Sequence, residues 1–167
     1  GSNRLRIKSY YSDDEAKLLL EFGELLNQHF NSPKHLMVAH NGKEFDFPYI
    51  ARRMLIHGIE LPGLLDIAGK KPWEIRHIDT LELWKFGDYK HFTSLDLLTA
   101  IFDISSPKAD INGSQVNEVY WKGNDLQRIA EYCQNDVLAI VQLLNRYRGQ
   151  ELFLEENIEF VPLLEID

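Results

Sequence analysis

Tyr132 and Asp136 stand four residues apart in the stretch Tyr132-Cys133-Gln134-Asn135-Asp136. On a helix that spacing places them one turn apart on a single face. A carboxylate can ligate a cation, and a phenolic hydroxyl can orient water. A second acid, Asp46, closes the stretch Asn41-Gly42-Lys43-Glu44-Phe45-Asp46. Carboxylates from two elements suit Mg²⁺, a hard cation that takes oxygen ligands and keeps part of its water. Two such ions about 4 Å apart stabilise the attacking and leaving oxygens of phosphodiester hydrolysis, a chemistry that generally recruits more than two acids. Each residue also has an ordinary alternative. Asp46 caps a helix, Asp136 is a solvated helical acid, and Tyr132 is a half-buried aromatic with its hydroxyl at the surface.

The elements that must position these groups follow from periodicity and punctuation. Arg4 to Tyr11 alternates basic and apolar residues, the pattern of a half-buried strand. Ser12 to Glu15 supplies a cap and first-turn acids for a helix over 13–30, with the acids opposing the helix dipole. The apolar run Leu36 to His40 predicts a strand buried on both faces, and Asn41-Gly42 turns the chain off its end. Asp46 then lies just past a strand, where ligand groups of open α/β sheets gather. Phe47 to His57 predicts a helix with Pro48 in its first turn and Gly58 beyond it. Residues 59–74 read as a long connection.

Ile75 to Thr80 predicts a third strand, followed by a helix through Leu81, Leu83 and Trp84. Thr93-Ser94 opens another helix, and Ser105 to Ser114 reads as a loop. The longest helix spans about Asp125 to Arg148, carries Tyr132 and Asp136, and stops at Gly149. Ile129, Cys133, Val137, Ile140 and Leu144 make its expected apolar side. The tail adds a strand-like piece, Ile158 to Ile166. Alternating strands and helices argue for a layered α/β domain.

Composition sets outer bounds. The 167 residues, 44% apolar and 11% aromatic, suit one globular domain with a buried core. No apolar run reaches membrane-spanning length, so a membrane partner is not expected. Cys133 is the single cysteine, which rules out an intrachain disulfide and multi-thiolate zinc and makes the reducing cytoplasm the default compartment. The net charge of −8 argues against a large nucleic-acid footprint. It does not argue against an enzyme that gathers carboxylates around Mg²⁺ and grips a few nucleotides. Gly1-Ser2 reads as an expression-tag remnant.

The stretch Asn41 to Asp46 resembles the second motif of the DEDD, RNase H-like 3′–5′ exonucleases, Asn-x-x-x-Phe-Asp. Tyr132 to Asp136 resembles their third motif in its tyrosine form, since Glu131 stands where the histidine form would place a His. Ile78-Asp79-Thr80-Leu81, Asn112 to Val116 and Ile129 to Cys133 add likeness to bacterial exonucleases related to the proofreading domain of family B DNA polymerases. The resemblance spans roughly residues 4–150. It implies an RNase H-like α/β/α domain over residues 3–150, followed by a tail over 151–167. It also implies Asp46 and Asp136 as metal carboxylates for two Mg²⁺ or Mn²⁺ ions, with Tyr132 orienting the attacking water. Asn41 and Phe45 would shape the pocket for the 3′-terminal nucleotide of single-stranded DNA. Lys43, Arg52 and Arg53 would meet phosphates, although solvated helix charges are an equal reading.

The family's first motif, Asp-x-Glu on an opening strand, has no counterpart in this chain. Asp13 and Glu15 have its spacing but sit at a helix start, and Glu165 and Asp167 have it reversed at the C-terminus. The expectation is therefore an N-terminally truncated domain with an incomplete mixed sheet, weak metal binding and weak or absent activity on its own. Either the N-terminal segment or the tail should pair abnormally, or two chains should share a sheet edge. The alternative from another class is a non-catalytic nucleic-acid-binding or protein-interaction module of the same fold. A purely structural α/β domain is the third.

Overall fold

The computed structural model describes residues 4–88, 90–105 and 110–163. The chain divides into two compact units, Asp13–Phe92 and a second made of the N-terminal segment through Ser12 with the chain from Thr93 onward.

In the Asp13–Phe92 unit, helix α1 (Glu15–His29) starts at Asp14, whose carboxylate accepts the Lys17 N–H at 3.1 Å. Strand β2 (Val38–Ala39) leads through the Asn41-Gly42 turn into α2 (Asp46–Ile56). Strand β3 (Ile78–Asp79) pairs parallel to β2 and runs directly into α3 (Thr80–Lys85). The core gathers Leu19 and Leu26 of α1, Ala39 of β2, Phe47 and Met54 of α2, and Leu65 from the connection. Gly23 of α1 faces α2, where a Cβ would lie at ordinary contact distance, 3.5 Å, from Met54 Cε. Glu15 pins the two helices at the surface. It takes both Arg53 Nε and a guanidinium nitrogen, and it meets His57 Nε2 at 2.8 Å.

In the other unit, β1 (Leu5–Ile7) pairs parallel to β4 (Ile158–Phe160), and the Val161 N–H extends the ladder to Ile7 O at 2.9 Å. Helix α4 (Leu95–Ile101) is capped by Ser94 and packs on α6 (Leu126–Tyr147), which is capped by Asp125. Between them a single helical turn, α5 (Val116–Glu118), widens into a π-turn over Val119–Gly123. Gln142 of α6 holds the tail by two bonds, donating to Phe153 O at 2.8 Å and accepting the Phe153 N–H at 2.9 Å. Leu98 and Leu143 are completely buried in this unit.

Several expectations change. The described strands form two separate two-stranded parallel ladders in place of one mixed sheet. The tail does take up a strand partner, and β4 occupies an edge of β1. It stops at Phe160, and Glu165 and Asp167 lie outside the described residues. Strand β2 is buried on one face only. Met37 and Ala39 face the α1–α2 core while Val38 is exposed, as pleating requires when helices cover a single side. The buried side of α6 is Ala130, Gln134, Leu138, Ala139, Gln142, Leu143 and Leu144, which keeps Leu144 of the expected stripe but shifts the phase so that Cys133 and Val137 are exposed. Two glutamines on the core side hid that phase from a reading of apolar residues. The helical turn and π-turn over 116–123 had no predicted counterpart. The expected loop is described only at its ends, residues 106–109 lying outside the described residues. Among the described residues no helix is long and apolar enough to cross a membrane.

The Glu15 clasp yields a pH prediction. The Arg53 guanidinium, and after it His57, holds the Glu15 carboxyl down to about 2 from an ordinary 4.5. A depressed folded-state value stabilises the fold above the unfolded value, and that contribution is lost as pH falls through the interval between them. The melting temperature of a Glu15→Gln variant should therefore fall below wild type at neutral pH. Scanning calorimetry should show the difference closing as pH drops from about 4.5 toward 2.

Candidate active site

Asp46 occupies the first turn of α2, behind a turn whose backbone is fixed by one buried acid. The Asp79 carboxylate, at the end of β3, accepts the N–H groups of Asn41 at 2.9 Å and Lys43 at 3.1 Å. It also accepts the Leu81 N–H at 3.0 Å, capping α3. Asn41 adopts a left-handed conformation (φ 62°), which Asn tolerates better than most residues. Gly42 passes so close to β2 that a Cβ there would lie 2.3 Å from Ala39 Cβ and 3.3 Å from Asp46 Oδ2. His40 Nδ1 meets Thr80 Oγ1 at 2.9 Å, tying the ends of β2 and α3 together. Asp46 does not cap its helix, since Phe45 holds the N-cap position and no side chain caps there. Burial raises the Asp46 carboxyl above the ordinary range, its own backbone N–H opposes that, and the Asp79 charge adds to the rise.

Lys43 turns to Glu82 of α3, with Nζ 2.7 Å from its carboxylate, so its charge is already matched. Arg53 is held by Glu15, which leaves Arg52 exposed on α2. Phe45 projects into solvent and stacks on Tyr49 with ring centroids 5.8 Å apart.

On α6 the predicted pair does meet. Tyr132 donates a hydrogen bond to Asp136, one turn along the helix. Burial raises the Asp136 carboxyl, the Tyr132 hydroxyl lowers it, and Asp96 in the first turn of α4 raises it again. The Tyr132 phenol is pushed up by burial first and then by Asp136, so it stays protonated throughout the physiological range. Gly113 abuts the same hydroxyl, where a Cβ would sit 3.7 Å from Tyr132 Oη.

Asp79, Asp96 and Glu82 escaped the sequence reading as site components. Asp79 carried a weak signal, an acid ending a short β-type run. Asp96 looks like any first-turn acid that opposes a helix dipole. Among the described residues no group of three or more His, Cys, Asp and Glu side chains could hold a metal ion.

The class these features define is an α/β protein with buried and half-buried carboxylates, those of Asp79 and Asp46 at strand and helix termini and that of Asp136 inside α6, hydrogen-bonded to a tyrosine. Residues 2–157 match the family described as predicted 3′–5′ exonucleases related to the exonuclease domain of PolB, and the chain belongs to that family. A DNA polymerase of Pyrococcus glycovorans is 23% identical over 134 residues, covering 71% of this chain. The match spans 16% of that polymerase's length. No solved structure matches the chain.

The tight passage at Gly42 is directly testable. Gly42→Ala should lower unfolding free energy by about 2 kcal/mol, the scale of overpacking a filled site, read from the urea midpoint at unchanged m-value.

Proposed function

We propose that the chain is a metal-dependent 3′–5′ exonuclease domain of RNase H-like fold and tyrosine subclass, hydrolysing the terminal phosphodiester bonds of single-stranded DNA in the cytoplasm. The domain comprises residues 3–150, and 151–167 is an appended tail. The observation that carries the reading is the Tyr132–Asp136 hydrogen bond, within a chain that matches the exonuclease family over nearly its whole length.

Asp46 and Asp136 are the residues that would hold Mg²⁺ or Mn²⁺. The donor chemistry fits, because both are oxygen ligands. Each is also half-buried in the field of another acid, Asp79 for Asp46 and Asp96 for Asp136, a strain that a cation relieves. Mg²⁺ is commonly held by one or two carboxylates, with water and substrate phosphate completing the set. When bound, the cations neutralise charge developing on the attacking and leaving oxygens.

The chain's own groups position the reaction. Tyr132 gives its proton to the hydrogen bond with Asp136, so the phenolic oxygen can accept a hydrogen bond from water and turn that water's free lone pair toward phosphorus. In-line attack by that water forms the new P–O bond as the bond to the penultimate nucleotide's 3′ oxygen breaks, the water giving up a proton to solvent and the leaving 3′ oxygen taking one from solvent. A nucleoside 5′-monophosphate leaves, and the shortened strand ends in a 3′ hydroxyl. Asn41 and Phe45 shape the terminal-nucleotide pocket, and Lys43 meets phosphate by exchanging its Glu82 partner.

The test uses the intact protein that carries this chain and a 5′-labelled single-stranded oligonucleotide. Wild type should shorten the strand from its 3′ end in Mg²⁺ or Mn²⁺ and not in EDTA. Asp136→Asn and Asp46→Asn should fall to background, and Tyr132→Phe should lose about 100-fold in kcat, the scale for a misplaced reactant. Salt-dependent binding without cleavage would sink the reading in favour of the non-catalytic module.

A further inference from the structure

Helix α2 has two apolar sides, and only one of them has work in the core. Phe47, Ile50, Ala51 and Met54 pack inward. At i, i+4 and i+7 around the helix, Phe45, Tyr49 and Arg52 point outward instead. Phe45 is 62% exposed and Tyr49 is 51% exposed. Their rings stack 15° from parallel, which leaves outer ring faces open to solvent. Arg52 is exposed, and among the described residues no acid pairs with it, whereas Lys43 is matched by Glu82 and Arg53 by Glu15. An unburied aromatic surface beside an unmatched guanidinium, one turn from Asp46, is costly to leave in water and chemically suited to a stacked base followed by a phosphate.

We infer that Tyr49 and Arg52 continue the substrate path from Phe45 along α2, Tyr49 stacking a base of the single strand and Arg52 taking the adjacent phosphate. The inference rests on the exonuclease reading for its substrate class but not on cleavage. Base stacking on an aromatic face is tolerant of sequence, so the strip would grip DNA of any composition. An exonuclease that must shorten arbitrary 3′ ends needs that property.

The experiment is fluorescence anisotropy with the intact protein in EDTA. It uses a labelled oligothymidylate and an abasic strand of equal length and charge. Tyr49→Ala should weaken oligothymidylate binding about tenfold, within the range for one lost base stack, while Tyr49→Phe binds as wild type. The abasic strand should bind wild type and Tyr49→Ala alike. Arg52→Ala should reduce the slope of binding against salt by about one. Circular dichroism checks the fold of each variant, and the comparison of the two strands on wild type stands even if Tyr49→Ala does not fold. Equal binding of both strands by wild type, or an unaffected Tyr49→Ala, overturns the inference alone. Absence of any strand binding by wild type overturns it together with the exonuclease reading. A change in oligomeric state with binding unchanged would assign the strip to a protein contact and overturn it as well.

Discussion

The Asp79 carboxylate receives backbone N–H groups from Asn41 and Lys43 on one side and from Leu81 on the other, at a point where it is almost wholly buried. A buried charge is tolerated only when it is fully hydrogen-bonded, and this one is satisfied almost entirely by main chain. The arrangement fixes three things together. It ends β3, starts α3, and holds the left-handed turn that delivers Asp46 to the first turn of α2. The turn in turn depends on Gly42, because no side chain fits against Ala39 there. Asp46 owes its position to an acid that does no chemistry in the proposed reaction.

Proximity to that acid also sets the electrostatic state of Asp46, whose carboxyl burial and the Asp79 charge both push upward. Asp136 has the same character by a different route, with burial and Asp96 raising it and Tyr132 partly compensating. Groups held in a costly ionisation state within a fold are candidates for function, and here both fall in the motifs that resemble exonuclease motifs. The Tyr132 hydroxyl, used as a donor by Asp136, is left as an acceptor. That asymmetry suits a residue whose task is to orient water.

The fold supports these sites with short elements and many specific side-chain bonds. Two-stranded ladders supply little stability by themselves, so helices must hold the strands in place. Gln142 does this for the tail by bonding both main-chain groups of Phe153, and Glu15 joins α1 to α2 through Arg53 and His57. The Glu15 acid that looked like a simple dipole match is thereby a tertiary contact. Its partner residue Arg53, a phosphate candidate by sequence, is consumed in the process, and Arg52 next to it is not.

Local rules were enough to read much of this from sequence. Capping residues and glycine stops located α1, α2, α4 and α6 to within a residue or two, because caps and helical phase act over a few positions. The i, i+4 spacing of Tyr132 and Asp136 guaranteed their meeting once a helix formed, for the same reason. The motif around Asp46 could be recognised, but its anchoring could not. Asp79 lies 38 residues from Asn41 in sequence, and only parallel pairing of β3 with β2 brings its carboxylate to the turn. Likewise the core side of α6 was decided by Gln142 reaching Phe153, a bond between polar groups that no count of apolar residues anticipates. Sequence determined which residues could do chemistry and which helices carry them. Tertiary structure decided which charges were spent on holding the fold and which were left for a ligand, because ion pairs and buried hydrogen bonds depend on partners that only folding brings within reach.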